Sequence, residues 1–93
     1  MALLATPAEA AFKEGNISCG QRVPKVVAVT KGATNVWTPG SNNPVYKGTF
    51  SSFKETETLD NAKDGSAWRV EGALGVKAAK TYAVCTNLAW PSG

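Results

Sequence analysis

From residue 16 onward, apolar and polar positions follow the two-residue period of strands rather than the 3.6-residue period of helices. Residues 25–30, KVVAVT, are rich in β-branched side chains, which suit an extended backbone. Residues 31–33, KGA, supply a turn, and residues 34–38, TNVWT, form a second run, so the two read as a hairpin. Residues 39–44, PGSNNP, break the pattern. In residues 45–53, VYKGTFSSF, alternation puts Tyr46 and Phe50 on one face and Val45 and Phe53 on the other. Residues 54–59, KETETL, alternate strictly: Lys54, Thr56 and Thr58 on one side, Glu55, Glu57 and Leu59 on the other. Neither side is apolar, which predicts a sheet edge or a projecting hairpin arm.

Residues 60–65, DNAKDG, read as a turn, and residues 66–72, SAWRVEG, as a strand with Trp68 and Val70 inward and Arg69 and Glu71 outward. Residues 72–79, GALGVKAA, read either as a loop or as a strand with bulges at the glycines. Residues 81–88, TYAVCTNL, are the last strand. The expectation is an all-β fold. It is a small antiparallel sandwich or partly open barrel of six to seven strands over residues 16–88, followed by a tail at 89–93.

The first fifteen residues form an arm with two open readings. Thr6-Pro7-Ala8-Glu9 fits a helix start, with Thr6 as the N-cap, Pro7 at the first helical position and Glu9 completing a capping box. Residues 10–14 continue that helix, Gly15 ends it, and Phe12 is the side chain that docks it. Alternatively, Ala8-Glu9-Ala10 has the small-x-small form of a signal-peptidase site, which makes the arm the remnant of a signal peptide. No stretch is long enough to span a membrane as a helix.

Ninety-three residues make one domain. A chain of this size buries only about 60–65 % of its unfolded surface, so a covalent staple matters. Two cysteines, Cys19 and Cys85, permit one connectivity. Closing so long a loop stabilises by about 4 kcal/mol in the chain-entropy model. Ten Lys and Arg against seven Asp and Glu give a net charge of +3, with the bases scattered singly. Nucleic-acid binding needs a clustered basic footprint, which is not there.

The chain has no histidine, which removes Ser-His-Asp and Cys-His catalysis and histidine zinc sites. Glu55 and Glu57 lie about 7 Å apart along a strand, near the roughly 5 Å of a retaining glycosidase pair. A solvated edge is the simpler account, because so small a domain offers little pocket around them. Residues 60–65 fail as a calcium loop, since Ala62 holds a ligand position and Lys63 adds a repelling charge. Gly72-Ala73-Leu74-Gly75 lacks the lysine of a phosphate loop. Asn16-Ile17-Ser18 matches a glycosylation acceptor. No cofactor is implied. Trp68 reads as core, whereas Trp37 beside a turn and Trp90 in the tail are candidates for intermolecular contact.

Several short motifs run together: Cys19-Gly20-Gln21, Val36-Trp37-Thr38-Pro39-Gly40, Ser66-Ala67-Trp68-Arg69-Val70-Glu71 and Thr81-Tyr82-Ala83-Val84-Cys85. In these the chain resembles small secreted actinobacterial proteins of unknown function. That resemblance implies two cysteines at the ends of one β-domain and no activity. A fainter likeness is to the lactococcin-972-like bacteriocins, small secreted β-sandwiches; the chain departs from them in lacking histidine and from the first group in its arm and its extension past Cys85. The functional expectation is a non-enzymatic binding or assembly module on a virion, particle or extracellular surface. Its partner is a protein or a second copy, with a cell-surface glycan as a further candidate. The contact residues expected are Phe12, Trp37, Glu55, Glu57 and Trp90. A secreted antibacterial protein or inhibitor, and a carbohydrate-binding module, are the alternatives. The last requires Trp37 or Trp90 to be exposed beside polar groups.

Overall fold

A computed structural model describes residues 10–91. They form one antiparallel sheet of five strands: β1 (Ala10–Asn16), β2 (Arg22–Trp37), β3 (Tyr46–Leu59), β4 (Ala67–Val76) and β5 (Tyr82–Ala89). A single 3₁₀ turn, Ala78–Lys80, links β4 to β5, and no α-helix occurs among the described residues. The sheet is not closed. Its order is β1-β4-β2-β3, with β5 added beside β2.

β2 is the spine. Its whole length from Lys25 to Val36 pairs with β3 on one side. On the other side its first part pairs with β5 and its second part with β4. Where β5 hands over to β4, Val29 pairs with Glu55 of β3 but among the described residues has no strand partner on its other side. The β4–β5 connection supplies it: the Val29 N–H donates to Thr81 Oγ1 at 3.1 Å, and its carbonyl accepts from the Lys77 N–H at 2.9 Å. Lys13 of β1 reaches the same turn and donates through Nζ to the Ala78 and Thr81 carbonyls, at 2.6 Å each.

The sheet folds over on itself, and one residue demonstrates it. Asp60 donates its backbone N–H to the Pro24 carbonyl at 2.9 Å and accepts from Thr38 Oγ1 at 3.3 Å. Pro24 and Thr38 are fourteen positions apart along one chain segment, about 46 Å if it ran straight. The bend lies at Thr30–Gly32, where the register with β3 shifts. Gly32 has φ of +82°, which glycine adopts without strain, and a Cβ there would sit 2.8 Å from Leu74. Thr34 Oγ1 donates to the Gly32 carbonyl at 3.2 Å and shares a 2.7 Å hydrogen bond with Thr30 Oγ1, both hydroxyls being buried.

Inside the fold-over lie Val26 and Ala28 from one end of β2, Val36 from the other, and Trp68, Val70 and Val76 of β4. Ile17, Tyr46 and Ala83 pack against them. The inward-facing threonines are hydrogen-bonded, and no buried side-chain N or O among the described residues is without a partner. Cys19 and Cys85 are disulfide-bonded with Cα atoms 5.5 Å apart, which clasps the segment before β2 to β5.

Three sequence expectations are corrected. The helix over residues 6–15 does not form in its described part: Ala10–Asn16 is β1, paired with β4 from Phe12↔Glu71 to Asn16↔Ala67, so residues 10–15 belong to the sheet. Its proposed cap, Thr6 to Glu9, lies outside the described residues, as does the signal-peptide reading of Ala8-Glu9. The turn at residues 31–33 is a bulge within β2, because Lys31 still pairs with Gly75 while Gly32 pairs with Phe50. Among the described residues the strands number five, not six to seven, since residues 25–37 lie in one strand and 46–59 in another, each where two were expected, and 67–76 are continuous.

Candidate binding faces

Strand register decides which candidate residues meet, because cross-strand partners share a face. Trp37 of β2 lies opposite Arg69 of β4, and Arg69 lies opposite Glu14 of β1. Phe12 and Glu71 form the next row. Arg69 is therefore the hub of the outer face of β1, β4 and the second half of β2. Its Nε donates to Glu71 Oε2 at 2.8 Å and its Nη1 to Glu14 Oε1 at 2.5 Å. Its guanidinium lies 4.0 Å from the centre of the Phe12 ring. The hydrogen bond to Glu71, then that to Glu14, holds the guanidinium still more firmly in its charged form against a partial loss of hydration.

A cleft of about 510 Å³ opens beside this hub, lined by Glu14, Asn16, Trp37, Ser41, Trp68 and Arg69 among others. Trp37 is half-buried. Asn16 accepts from Ser66 Oγ at 3.2 Å, and Ser41 Oγ donates to the Asn43 carbonyl at 2.8 Å. A second cleft of about 290 Å³ lies on the other side of Arg69, lined by Phe12, Asn35 and Glu71 among others.

The other sequence-selected residues lie elsewhere. Glu55 and Glu57 are exposed on β3, opposite Val29 and Val27 and outside both of these clefts, and Glu57 is ion-paired to Lys25 at 3.3 Å. Beside them, Leu59 and Val84 lie opposite Lys25 from its two sides, and Tyr82 lies opposite Val27 in the next row. Leu59, Tyr82 and Val84 are 47 %, 48 % and 38 % exposed. β3 ends the strand order, and its outer edge has no strand partner among the described residues. Trp90 is half-buried near the disulfide, with its N–H on the Gln21 carbonyl at 2.8 Å.

Sequence reasoning brought out Phe12 and Trp37 but missed Arg69, Glu14 and Ser41 around them, and Tyr82 and Val84 beside the glutamates. Two signals existed: Phe12 with Glu14, and Arg69 with Glu71, each fall two apart on one strand face. Only the register joins the two pairs. Asp60 is buried and its carboxyl is raised above the ordinary range by loss of hydration, partly offset by hydrogen bonds from Ala62, Thr38 and Asn61. Its Oδ1 accepts from the Ala62 N–H at 2.9 Å, which makes residues 60–62 a side-chain-capped turn. No group of three His, Cys, Asp or Glu is gathered for a metal among the described residues, and none of their helices is long and apolar enough to cross a membrane. The chain matches no protein-family model, no curated protein and no solved structure.

Proposed function

We propose that this chain is a non-enzymatic binding module that works by protein–protein contact, through the face carrying Leu59, Tyr82 and Val84. The observation that carries the reading is that register puts these three exposed apolar side chains on one face, flanking Lys25 and Val27 of β2. An apolar centre with charged residues at its rim is the anatomy of a protein interface. Glu55 and Glu57 form that rim, and the methylene stem of Lys25 extends the apolar surface between Leu59 and Val84. The outer edge of β3 adjoins the face and offers backbone groups for strand addition. The open setting of the two glutamates supports contact over catalysis, since a carboxylate pair needs an enclosing pocket to act on a bond. The disulfide supports an extracellular or particle-surface setting.

The simplest partner is a second copy. Light scattering over a wide concentration range, on the wild type and on Leu59→Lys/Val84→Lys, tests this. The reading expects species heavier than the 9.7 kDa chain, reduced to monomer by the double variant with its strand signal intact. It fails if the wild type is monomeric throughout and crosslinking through Lys25 in the native setting joins it to no protein.

A further inference from the structure

We propose that the cleft between Trp37 and Arg69 binds a neutral oligosaccharide. This site is on a different part of the sheet from the Leu59 face and does not depend on that reading. A pyranose ring has two unlike surfaces: an apolar C–H face and a rim of hydroxyls. The cleft offers both complements, with the Trp37 indole for the ring face and Glu14, Asn16 and Ser41 for the hydroxyls.

Charge selects among ligands. Among the described residues Arg69 is the only cation lining the cleft, and it is already held by Glu14 and Glu71. A phosphate or carboxylate would have to displace one carboxylate and sit beside it. A wholly apolar ligand would strip water from Glu14, Asn16 and Ser41 without replacing its hydrogen bonds. A polyhydroxylated neutral ring meets neither penalty.

The site is also built in advance. Arg69 is fixed by two ion pairs and by the Phe12 ring, and Asn16 spends Oδ1 on Ser66 while keeping its amide donors. All four of Glu14, Asn16, Trp37 and Arg69 belong to strands, so little ordering is left for binding to impose. At about 510 Å³ the cleft falls in the usual range of about 300–1,000 Å³ for small-molecule sites. The second cleft continues the surface past Arg69 to Asn35 and Phe12. The ligand is therefore longer than one ring.

Titration of the ¹⁵N-labelled protein with three neutral tetrasaccharides tests the proposal: β-1,4-linked glucose, α-1,4-linked glucose and β-1,4-linked N-acetylglucosamine. At least one should bind with a Kd of about 1 mM or tighter. Its shifts should be confined to residues 14–16, 37–41 and 67–69, with the monosaccharide weaker. Trp37→Ala should weaken binding by about tenfold or more, the loss of about 1.4 kcal/mol of stacking. Ala67→Arg should do the same by filling the cleft from an exposed position, with no core contact removed and the spectrum otherwise preserved. Leu59→Lys/Val84→Lys should bind as wild type does. The proposal is overturned if none of the three perturbs those residues at about 10 mM, or if both cleft variants bind as tightly as wild type.

Discussion

Asp60 is the residue on which the fold-over converges, and its ionisation is coupled to folding. Burial raises its carboxyl above the ordinary range, so the native state keeps that proton to a higher pH than the unfolded chain does. Between the two pKa values the native state binds more protons, and this residue's contribution to stability falls as pH rises. Asp60→Asn keeps an acceptor for the Ala62 N–H and the Thr38 hydroxyl but cannot ionise. Urea unfolding at intervals from about pH 4 to pH 7 should show the wild type losing stability relative to the variant as pH rises. A difference that stays constant across that range would mean that Asp60 titrates alike in both states. The same neighbourhood restricts Gly40, whose φ of +84° and contact with the Asp64 carbonyl leave no room for a side chain.

At the scale of the element, β2 matters most, because its bend turns one strand into two opposed walls of the core. Glycine permits the bend at residue 32, and the hydroxyls of Thr30 and Thr34 hold it. Thr34→Val is close to isosteric but leaves the buried Gly32 carbonyl and the Thr30 hydroxyl without their partner. It should cost about 1–3 kcal/mol in urea unfolding. Adding Thr30→Val removes one of the stranded groups and should recover part of that loss. Strictly additive losses would show that the two hydroxyls do not act as a unit. β3 illustrates a different constraint. Its outer edge has no strand partner among the described residues and carries Lys47, Lys54, Glu55 and Glu57, charges that discourage indiscriminate strand pairing while leaving the edge available to a complementary partner.

For the whole molecule, the decisive fact is a core made mostly of valine, alanine and threonine with one tryptophan. Such a core buries little apolar area per residue, and the Cys19–Cys85 bond compensates through the unfolded state. Its span of 66 positions corresponds to about 4 kcal/mol of loop-closure entropy. That is a large part of the roughly 5–15 kcal/mol typical of a small domain. Cys19→Ser/Cys85→Ser should therefore lose most of its stability and unfold at much lower urea. A loss under about 1 kcal/mol would show that the unfolded chain is already compact enough for the clasp to restrict little.

Much was legible before any tertiary structure. Alternation placed Trp68 and Val70 inward and Arg69 and Glu71 outward, paired Tyr46 with Phe50, now stacked at 6.5 Å, and marked residues 54–59 as an edge. The count of two cysteines left one pairing, which the structure contains. These are properties of neighbours along the chain, and a two-residue period carries them. What the sequence left open depended on partners far away. Residues 10–15 have helix-forming side chains, yet β4 offers them an unfilled edge and they extend along it. Lys31-Gly32-Ala33 has the composition of a turn, yet ladders on both sides carry the strand through it. Glu14, Trp37 and Arg69 come from three separate strands. Only their registers bring them to one face, and a register is set by which side chains the whole sheet must turn toward its core rather than by any local preference.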